Sequence, residues 1–338
     1  MRCLAEGLPN PAASPQPFNQ LASQPFYMEF ELRILGSGSA TPVPGRHHTA
    51  QVLSVGNTHY LLDCGEGTQR RLMEHKISPM RLSVIFISHL HGDHFFGLFG
   101  LLGTMQLQSR TEPLRLFGPA GLEEVLTTQF RHSGTQLSFD LEFVVVDPTV
   151  HQLVYEDKLL TVHSLPMRHR IACCGYLLRE QPRRRSLLRD RLPASLSPAQ
   201  LQQLSQGEDL LDETTGEVVL RYAEVTGPPK RARSYAFCSD TVYLPGLVEL
   251  VRGVDVLYHE ATFLDELRER AAVTFHATAR QAGQLAREAG VGQLLIGHFS
   301  SRYRDLEPHL REARSEFAPT LLALEGTVVN VPNQPTAE

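Results

Sequence analysis

Residues 88–94, with the sequence SHLHGDH, constrain this chain more than any other segment. They follow the apolar run 82–87, which predicts a buried strand ending at the cluster. Imidazole and carboxylate groups at this density, presented at a strand end, are typical of a metal site. The weaker alternative is that these histidines are structural and that each forms a hydrogen bond with a neighbouring residue. The candidate metal ligands in this segment are His89, His91, Asp93 and His94.

The length and composition indicate an ordinary globular protein. A chain of 338 residues allows one large domain or two modest ones, and 42% hydrophobic residues suffice for a sizeable core. No apolar run is long enough to span a bilayer and no signal peptide is evident, so we expect a soluble, cytoplasmic protein. The five cysteines fit a reducing compartment. A net charge of -5 argues against general affinity for nucleic acids.

Hydrophobic periodicity divides most of the chain into strands and helices. Strands are predicted at residues 30–35, 51–55, 60–63, 82–87, 113–117, 141–146, 150–154, 158–164, 173–179, 235–238, 254–258 and 293–296. Helices are predicted at residues 66–74, 95–107, 119–130, 244–251, 277–289 and 305–317, and a closing hairpin at 321–329. This order predicts an α/β fold in which two sheets are faced by helices, a four-layer αββα sandwich over residues 28–330.

Two segments differ from this body. Residues 1–27 are rich in proline and aperiodic, which predicts a disordered N-terminal extension, with a start at Met28 as the alternative. Residues 181–233 interrupt the sandwich and predict an inserted arm. The ends of this insertion are basic, and a solvated surface and a clamp for a polyanion explain them equally well from the residues alone. The basic residues are Arg183, Arg184, Arg185, Lys230 and Arg231.

Three later residues enlarge the ligand set. His169, Asp240 and His298 each lie at a strand-to-loop transition, where layered α/β folds present functional groups. Each residue alone is a weak signal, but together with the first cluster they supply enough ligands for two metals. Such a pair of metals can share a bridging carboxylate and keep open positions for water. The histidine-rich set favours zinc, with manganese or iron as alternatives.

Residues 88–98 resemble the metal motif of the metallo-β-lactamase superfamily. Within it, the chain is most similar to the ribonuclease Z family of tRNA 3′-processing endonucleases. Further matches over residues 28–304 are, in chain order, segments 62–69, 169–176, 239–241, 259–263, 276–278 and 297–303. The resemblance implies the metallo-β-lactamase fold, with a flexible tRNA-binding arm inserted at 181–233.

The resemblance also implies the chemistry. Two Zn²⁺ ions per subunit would activate the attacking water, which Asp93 would orient or deprotonate. His276, oriented by Glu260, would protonate the leaving oxygen. Asp63 matches a family position at which a hydrogen bond orienting a ligand loop is favoured over direct chemistry. The ligands of one zinc would be His89, His91 and His169, and those of the other Asp93, His94 and His298, with Asp240 bridging.

The implied substrate is precursor tRNA, and the implied products are a tRNA 3′-hydroxyl and a 5′-phosphorylated trailer. The resemblance also implies a homodimer, in which the arm of one subunit holds tRNA bound at the active site of its partner. Pro44 and His47 depart from the lysine and asparagine of the family pattern, so the cleavage position and the response to an encoded CCA are open. The arm's usual Gly-Pro element is not evident either. The expected tRNA-binding residues are Arg46, Arg183, Arg184, Arg185, Lys230 and Arg231.

Two other functions fit parts of this pattern. A small-molecule phosphodiesterase or arylsulfatase-like hydrolase of the same fold is the first, but it has no need for five arginines between residues 183 and 191. A non-catalytic RNA-binding subunit is the second, and it predicts loss of metal ligands. All of the expected ligands are present together with His276, which argues against the second alternative.

Overall fold

The computed structural model describes residues 29–332. Two mixed seven-stranded sheets pack face to face, and helices cover both outer faces. The αββα sandwich predicted from the sequence is therefore confirmed, whereas the predicted extension 1–27 lies outside the described residues. Between residues 29 and 332, no helix is both long and apolar enough to cross a membrane.

The elements follow one another along the chain in this order. The strands are β1 (Phe30–Gly36), β2 (Ala50–Val55), β3 (Thr58–Leu62), β4 (Leu82–Phe86), β5 (Leu114–Gly118), β6 (Leu141–Val145), β7 (Leu153–Glu156), β8 (Leu160–Pro166), β9 (Cys174–Glu180), β10 (Leu210–Leu211), β11 (Val218–Leu220), β12 (Ser234–Cys238), β13 (Val256–Glu260), β14 (Gln293–Gly297), β15 (Thr320–Leu322) and β16 (Val328–Asn330). The helices are α1 (Thr68–Glu74), α2 (Gly92–Phe95), α3 (Gly97–Leu107), α4 (Leu122–Ser133), α5 (Pro198–Gln206), α6 (Tyr222–Val225), α7 (Leu247–Leu250), α8 (Arg268–Thr274), α9 (Ala279–Ala289) and α10 (Glu307–Glu316).

The strand order sets where loops can meet. The first sheet has the order β16-β1-β2-β3-β4-β5-β6 and the second the order β15-β14-β13-β12-β9-β8-β7. Strands β3 to β6 run parallel in the first sheet, and β12 to β15 run parallel in the second. The loops that follow parallel strands emerge at the same edge of a sheet, which makes that edge the natural place for a shared site.

The core between the sheets is rich in aromatic residues. The ring of Phe86 lies 5.1 Å from that of Phe117 and 5.0 Å from that of Tyr176, centroid to centroid. Offset and tilted ring pairs at these distances add to the stabilisation that comes from burying apolar area. On the outer face of the second sheet, helices α9 and α10 approach closely. A Cβ on Gly283 would stand 2.5 Å from the Ala313 carbonyl oxygen, so only glycine fits there.

Most predicted elements agree with the structure within a few residues, but the predicted C-terminal hairpin is wrong. Strand β15 pairs in parallel with β14 in the second sheet, whereas β16 pairs antiparallel with β1 in the first. Alternating apolar residues identify a strand but not its partner, because packing between distant segments decides the pairing. Three helices also differ from the prediction. The short helix α2 precedes the helix predicted from residue 95, and α8 is an additional helix. The helix predicted at residues 244–251 is shorter in the structure, where it is α7.

The insertion, residues 181–233, has a small core of its own. Leu204, Leu210 and Val225 are buried together in it. Helix α5 begins with a capping box formed by Ser197 and Gln200, which satisfies two backbone N–H groups. The secondary structure of the insertion consists of α5, the β10–β11 pair and the short helix α6. The flexibility of the arm stays a prediction.

A buried ion pair joins the two ends of the insertion to the sandwich. The Arg233 guanidinium donates to both carboxylate oxygens of Glu180, at 2.7 and 2.6 Å. It also donates to the Val331 carbonyl oxygen at 3.1 Å and lies 5.1 Å over the ring of Phe30. Both charged side chains are almost fully buried. Arg233, the last residue of the insertion, is therefore a structural residue.

Replacing Arg233 by alanine is expected to destabilise the fold, because it leaves the Glu180 carboxylate buried without its partner. Breaking a buried pair in this way lowers the free energy of unfolding by about 3–5 kcal/mol. Urea unfolding of Arg233→Ala measures the change. The control is Arg252→Ala, which removes an exposed pair with Glu249 and is expected to leave the midpoint unchanged. Equal shifts in both variants would contradict the role given to Arg233.

Candidate metal centre

The predicted ligands come together at one end of the sandwich. The 88–94 segment follows β4, and His169, Asp240 and His298 follow β8, β12 and β14. The two sheets are tied to each other at this end, since the Cys174 N–H donates to the Ser88 carbonyl oxygen at 3.1 Å. The site is thus assembled from loops of both sheets.

Three imidazoles converge in the first half of the cluster. The Nε2 atoms of His89 and His169 each lie 3.1 Å from Nδ1 of His91. The Asp240 Oδ2 atom lies 3.7 Å from His89 Nε2 and 3.8 Å from His169 Nε2. Four donor atoms this close, from three histidines and a carboxylate, can hold one metal ion.

The second half of the cluster surrounds the other oxygen of Asp240. Its Oδ1 atom lies 3.6 Å from His94 Nε2 and 3.3 Å from His298 Nε2. The Asp93 Oδ2 atom lies 3.3 Å from each of the same two nitrogens. Asp240 therefore presents one oxygen to each half, which is the arrangement that a bridging carboxylate requires.

The chemistry of these donors fits metal ions. His94 Nε2 and Asp240 Oδ1 are fully buried and have no hydrogen-bond partner, which is costly unless another group binds them. Burial opposes charge on His94, but the carboxylates of Asp93, Asp240 and Asp63 together hold its pKa well above the usual value. The clustered buried carboxylates therefore favour positive charge beside them, and divalent cations would supply it.

The outer nitrogens of the ligand histidines are held by hydrogen bonds. Asp63 Oδ2 accepts from His94 Nδ1 at 2.7 Å, and its Oδ1 accepts from the Ser88 N–H at 2.7 Å. The Phe275 carbonyl oxygen accepts from His169 Nδ1 at 2.9 Å. Such partners fix the tautomer and orientation of a metal-binding imidazole. Asp63 stands behind the ligands, as the orienting role favoured for it requires, and its backbone has a positive φ of 55°.

A second group of polar side chains lies beside the ligands. Glu260 Oε1 is 2.8 Å from His276 Nδ1, and Glu260 Oε2 accepts from the Thr262 hydroxyl at 2.7 Å. Burial opposes charge on both partners, but their mutual attraction dominates. It raises the pKa of His276 to about 9 and lowers that of Glu260 to about 2. The pair therefore carries an imidazolium and a carboxylate at neutral pH.

Thr262 is a residue that the sequence reasoning did not single out. Its hydroxyl oxygen lies 2.8 Å from Nδ1 of His298 while its proton goes to Glu260, so it links a metal ligand to the Glu260–His276 pair. The residue belongs to the matched segment 259–263. A role for its hydroxyl depends on the β13 and β14 loops lying side by side, which the sequence alone does not reveal.

Part of this cluster lines an open cavity of about 400 Å³, namely His91, Asp93, His169, Asp240, Thr262, His276 and His298. Arg46 lies beside it rather than in it, and lines a neighbouring cavity of about 590 Å³ together with His47 and His48. The Arg46 guanidinium donates to the carbonyl oxygen of Tyr303, in the loop that follows His298. Arg46 therefore contacts the site indirectly.

The predicted tRNA-binding residues of the insertion do not meet the metal ligands. Arg185 lies 4.8 Å over the ring of Tyr222, and Arg231 forms an ion pair with Asp255. The remaining three line a separate cavity at the base of the insertion, and they are Arg183, Arg184 and Lys230.

Known proteins of the same fold resemble this chain over most of its length. A sequence profile of the family described as “Anti-Pycsar protein Apyc1” matches residues 30–176. A metallo-β-lactamase fold protein from Bacillus subtilis is 17% identical, covers 90% of this chain and 100% of its own, and superposes with a TM-score of 0.64. The predicted metallo-β-lactamase fold is therefore confirmed.

Relatives with higher sequence identity are named tRNase Z or ribonuclease Z. Human tRNase Z, short form, is 26% identical, and the match covers 89% of this chain and 99% of that chain with a TM-score of 0.64. Ribonuclease Z of Cytophaga hutchinsonii is 47% identical over 300 residues, which cover 89% of this chain and 96% of the relative. An identity this high over nearly the whole of both chains shows common membership: the chain belongs to the ribonuclease Z family.

Proposed function

We propose that this protein is a zinc-dependent endoribonuclease that removes the 3′ trailer from tRNA precursors. The observation that carries the proposal is the buried cluster in which Asp240 presents one oxygen to each of two ligand groups. The family relationship over nearly the whole chain adds the substrate class. The small-molecule hydrolase alternative is less well supported, because that relationship is to ribonucleases by name.

Two zinc ions fit the donors described above. The proposed ligands of one are His89, His91 and His169, and those of the other are Asp93, His94 and His298, with Asp240 shared. When bound, the ions act as Lewis acids that lower the pKa of water and neutralise charge on a phosphodiester. The residues of the chain then orient the reactants and move the protons.

Asp93 is proposed to accept a hydrogen bond from the attacking water. Its Oδ2 atom faces the cavity side of the cluster, between His94 and His298. Burial alone would raise the pKa of Asp93, but the charge of His94 and the hydrogen bond from His298 hold it well below its usual range. The side chain is therefore an ionised acceptor that can orient a water for attack.

His276 is proposed to protonate the leaving 3′-oxygen of the tRNA. Its Nδ1 atom is occupied by Glu260, so Nε2 is the ring nitrogen that can donate to a substrate. The imidazolium form, favoured by the same carboxylate, carries the proton that a departing alkoxide needs. Glu260 orients this acid and does not touch the substrate itself.

The insertion and the oligomeric state complete the proposal. The basic residues of the insertion, together with Arg46, are proposed to contact tRNA phosphates. Such contacts need only a local positive surface, so the net charge of -5 does not oppose them. A homodimer would place the insertion of one subunit near the substrate of its partner. The proposed contacts are Arg46, Arg183, Arg184, Arg185, Lys230 and Arg231.

Replacing Asp93 by asparagine is expected to abolish cleavage while tRNA binding is retained. The change removes a metal ligand and the water acceptor, which corresponds to several kcal/mol of transition-state stabilisation, or about 10³-fold or more in rate. Cleavage of a precursor tRNA with a 3′ trailer gives the rate, and a mobility-shift assay gives binding. Cleavage of this precursor at the wild-type rate by Asp93→Asn would contradict the proposed role.

Replacing His276 by alanine is expected to slow tRNA cleavage by about 10²- to 10⁴-fold, the usual contribution of a general acid. An activated phosphodiester such as bis(p-nitrophenyl) phosphate has a leaving group that needs no proton, so its hydrolysis should fall far less. Comparing kcat for the two substrates separates acid catalysis from damage to the metal site. Equal reductions in kcat for both substrates would exclude the assignment.

Deleting residues 183–230 is expected to weaken tRNA binding and to spare hydrolysis of bis(p-nitrophenyl) phosphate. Each phosphate contact that is lost should reduce the slope of log K against log salt concentration by about 0.7–0.9 in magnitude. Binding measured at several salt concentrations tests this, with zinc content and small-substrate turnover as controls for folding. Unchanged tRNA affinity in the deletion variant would show that the insertion does not hold the substrate.

A further inference from the structure

An arginine stands beside the metal cavity in a rigid turn. Tyr303 donates through its backbone N–H to the Ser300 carbonyl oxygen at 3.1 Å, which closes a tight turn with Arg302 inside it. The turn is tied to the loop that follows β13. The Ser300 N–H donates to the Thr262 carbonyl oxygen at 3.3 Å, and the Tyr303 hydroxyl accepts from the Leu264 N–H at 3.2 Å. The backbone of Arg302 is therefore fixed by the loops that carry the site.

The guanidinium of Arg302 is held as well. Its Nε donates to the Ser300 hydroxyl oxygen at 3.2 Å, and its Cζ atom lies 5.5 Å from the centre of the Phe263 ring. A guanidinium over an aromatic face is attracted by the quadrupole of the ring. Ser300 and Phe263 both line the cavity of about 400 Å³ that the metal ligands line. Arg302 therefore lies against two residues of the cavity wall while it remains exposed to solvent.

Phe263 connects this arginine to the proposed general acid. Its ring lies 6.1 Å from the ring of His276, edge to face. The Phe263 N–H donates to the Ala277 carbonyl oxygen at 3.3 Å, and the Phe263 carbonyl oxygen accepts from the Ala279 N–H at 2.9 Å. Arg302, Phe263 and His276 therefore form a row of contacts. This row places Arg302 on the side of the cavity where the leaving group would depart.

The terminal nitrogens of Arg302 have no acceptor within residues 29–332. The bond to Ser300 is the one hydrogen bond that its side chain makes there, and no carboxylate of these residues lies within ion-pair distance. Fixing an arginine side chain costs rotamer entropy. A planar fork of donors that is fixed in advance is also the geometry that binds a phosphate through two parallel hydrogen bonds. The free end of Arg302 therefore suits a phosphate from outside the chain.

The proposed reaction indicates which phosphate this is. His276 would protonate the 3′-oxygen of the last retained nucleotide, so this nucleotide would lie beside His276 and Phe263. The nearest phosphate of the retained RNA is the one on the 5′ side of the same nucleotide. A donor that adjoins the acid through a single ring is placed for this phosphate, rather than for the scissile phosphate among the metal ligands.

We propose that Arg302 binds the phosphate on the 5′ side of the last retained nucleotide. This inference rests on the proposed function and adds a substrate contact at the wall of the metal cavity, separate from the insertion and from Arg46. The contact positions the leaving 3′-oxygen against His276. Because every nucleotide carries a phosphate, it aligns the RNA without selecting a base.

Substitutions of Arg302 test the contact. Arg302→Gln removes the charge and the donor fork, whereas Arg302→Lys keeps the charge alone. The matched control is Arg304→Gln, which removes an exposed arginine of the same loop that has no side-chain partner within residues 29–332. With precursor tRNA, Arg302→Gln is expected to raise KM about tenfold, the effect of one charge-assisted hydrogen bond, and Arg302→Lys to raise it less. Arg304→Gln is expected to match the wild type.

Two further readouts separate a phosphate contact from a structural role. In mobility shifts with precursor tRNA, Arg302→Gln should reduce the slope of log K against log salt concentration by about 0.7–0.9 in magnitude, whereas Arg302→Lys should retain the slope. Hydrolysis of bis(p-nitrophenyl) phosphate, which has no second phosphate, should fall far less than tRNA cleavage. A structural role would instead lower both activities and the zinc content together.

Inhibition of bis(p-nitrophenyl) phosphate hydrolysis by hexauridylate tests the contact without tRNA. The inhibition constant is expected to rise about tenfold in Arg302→Gln and to keep the wild-type value in Arg304→Gln. Failure of the wild-type protein to cut precursor tRNA would refute the proposed function, while this comparison would still decide the contact. The proposal is overturned if Arg302→Gln and Arg304→Gln agree in every assay.

Discussion

The buried carboxylates of Asp63, Asp93 and Asp240 are the constraint on which the rest of this structure depends. Removing three such groups from water is expensive unless each has a charged or hydrogen-bonding partner. Nearly all of the partners nearby are imidazoles, which can carry protons or bind metal ions. The two divalent cations proposed here would satisfy both the carboxylates and the orphaned nitrogen of His94. The buried donor set therefore fits metal ions.

The same constraint couples the two halves of the sandwich. The β4 loop of the first sheet supplies His89, His91, Asp93 and His94, while the second sheet supplies the remaining ligands through three different loops. The Tyr176 hydroxyl, on β9, donates to the Ile87 carbonyl oxygen at 2.7 Å and holds the sheets together just behind the ligands. Neither sheet can form the site alone, so metal binding would stabilise the packed state over states in which the sheets are separated.

The residues of the candidate metal centre could be recognised in the sequence because each occupies a fixed place at the end of a strand. The 88–94 segment needs no tertiary information, and the later ligands follow apolar runs that are readable as strands. Other features depend on contacts between distant segments. The pairing of β16 with β1 and the hydroxyl link through Thr262 are examples, since each joins residues that no local pattern connects. The basic residues of the insertion are evident in the sequence, but the contacts of Arg185 with Tyr222 and of Arg231 with Asp255 are not.

The measurement that bears most directly on the two-metal account is metal stoichiometry combined with analysis of the cleaved ends. Protein stripped with a chelator is titrated with Zn²⁺ and incubated with a precursor tRNA carrying a 3′ trailer. If two metal ions are required, cleavage will appear as the second equivalent of metal per chain is bound, and the products will be a tRNA 3′-hydroxyl and a trailer 5′-phosphate. Cleavage by the metal-free protein, or no cleavage at full loading, would contradict this requirement.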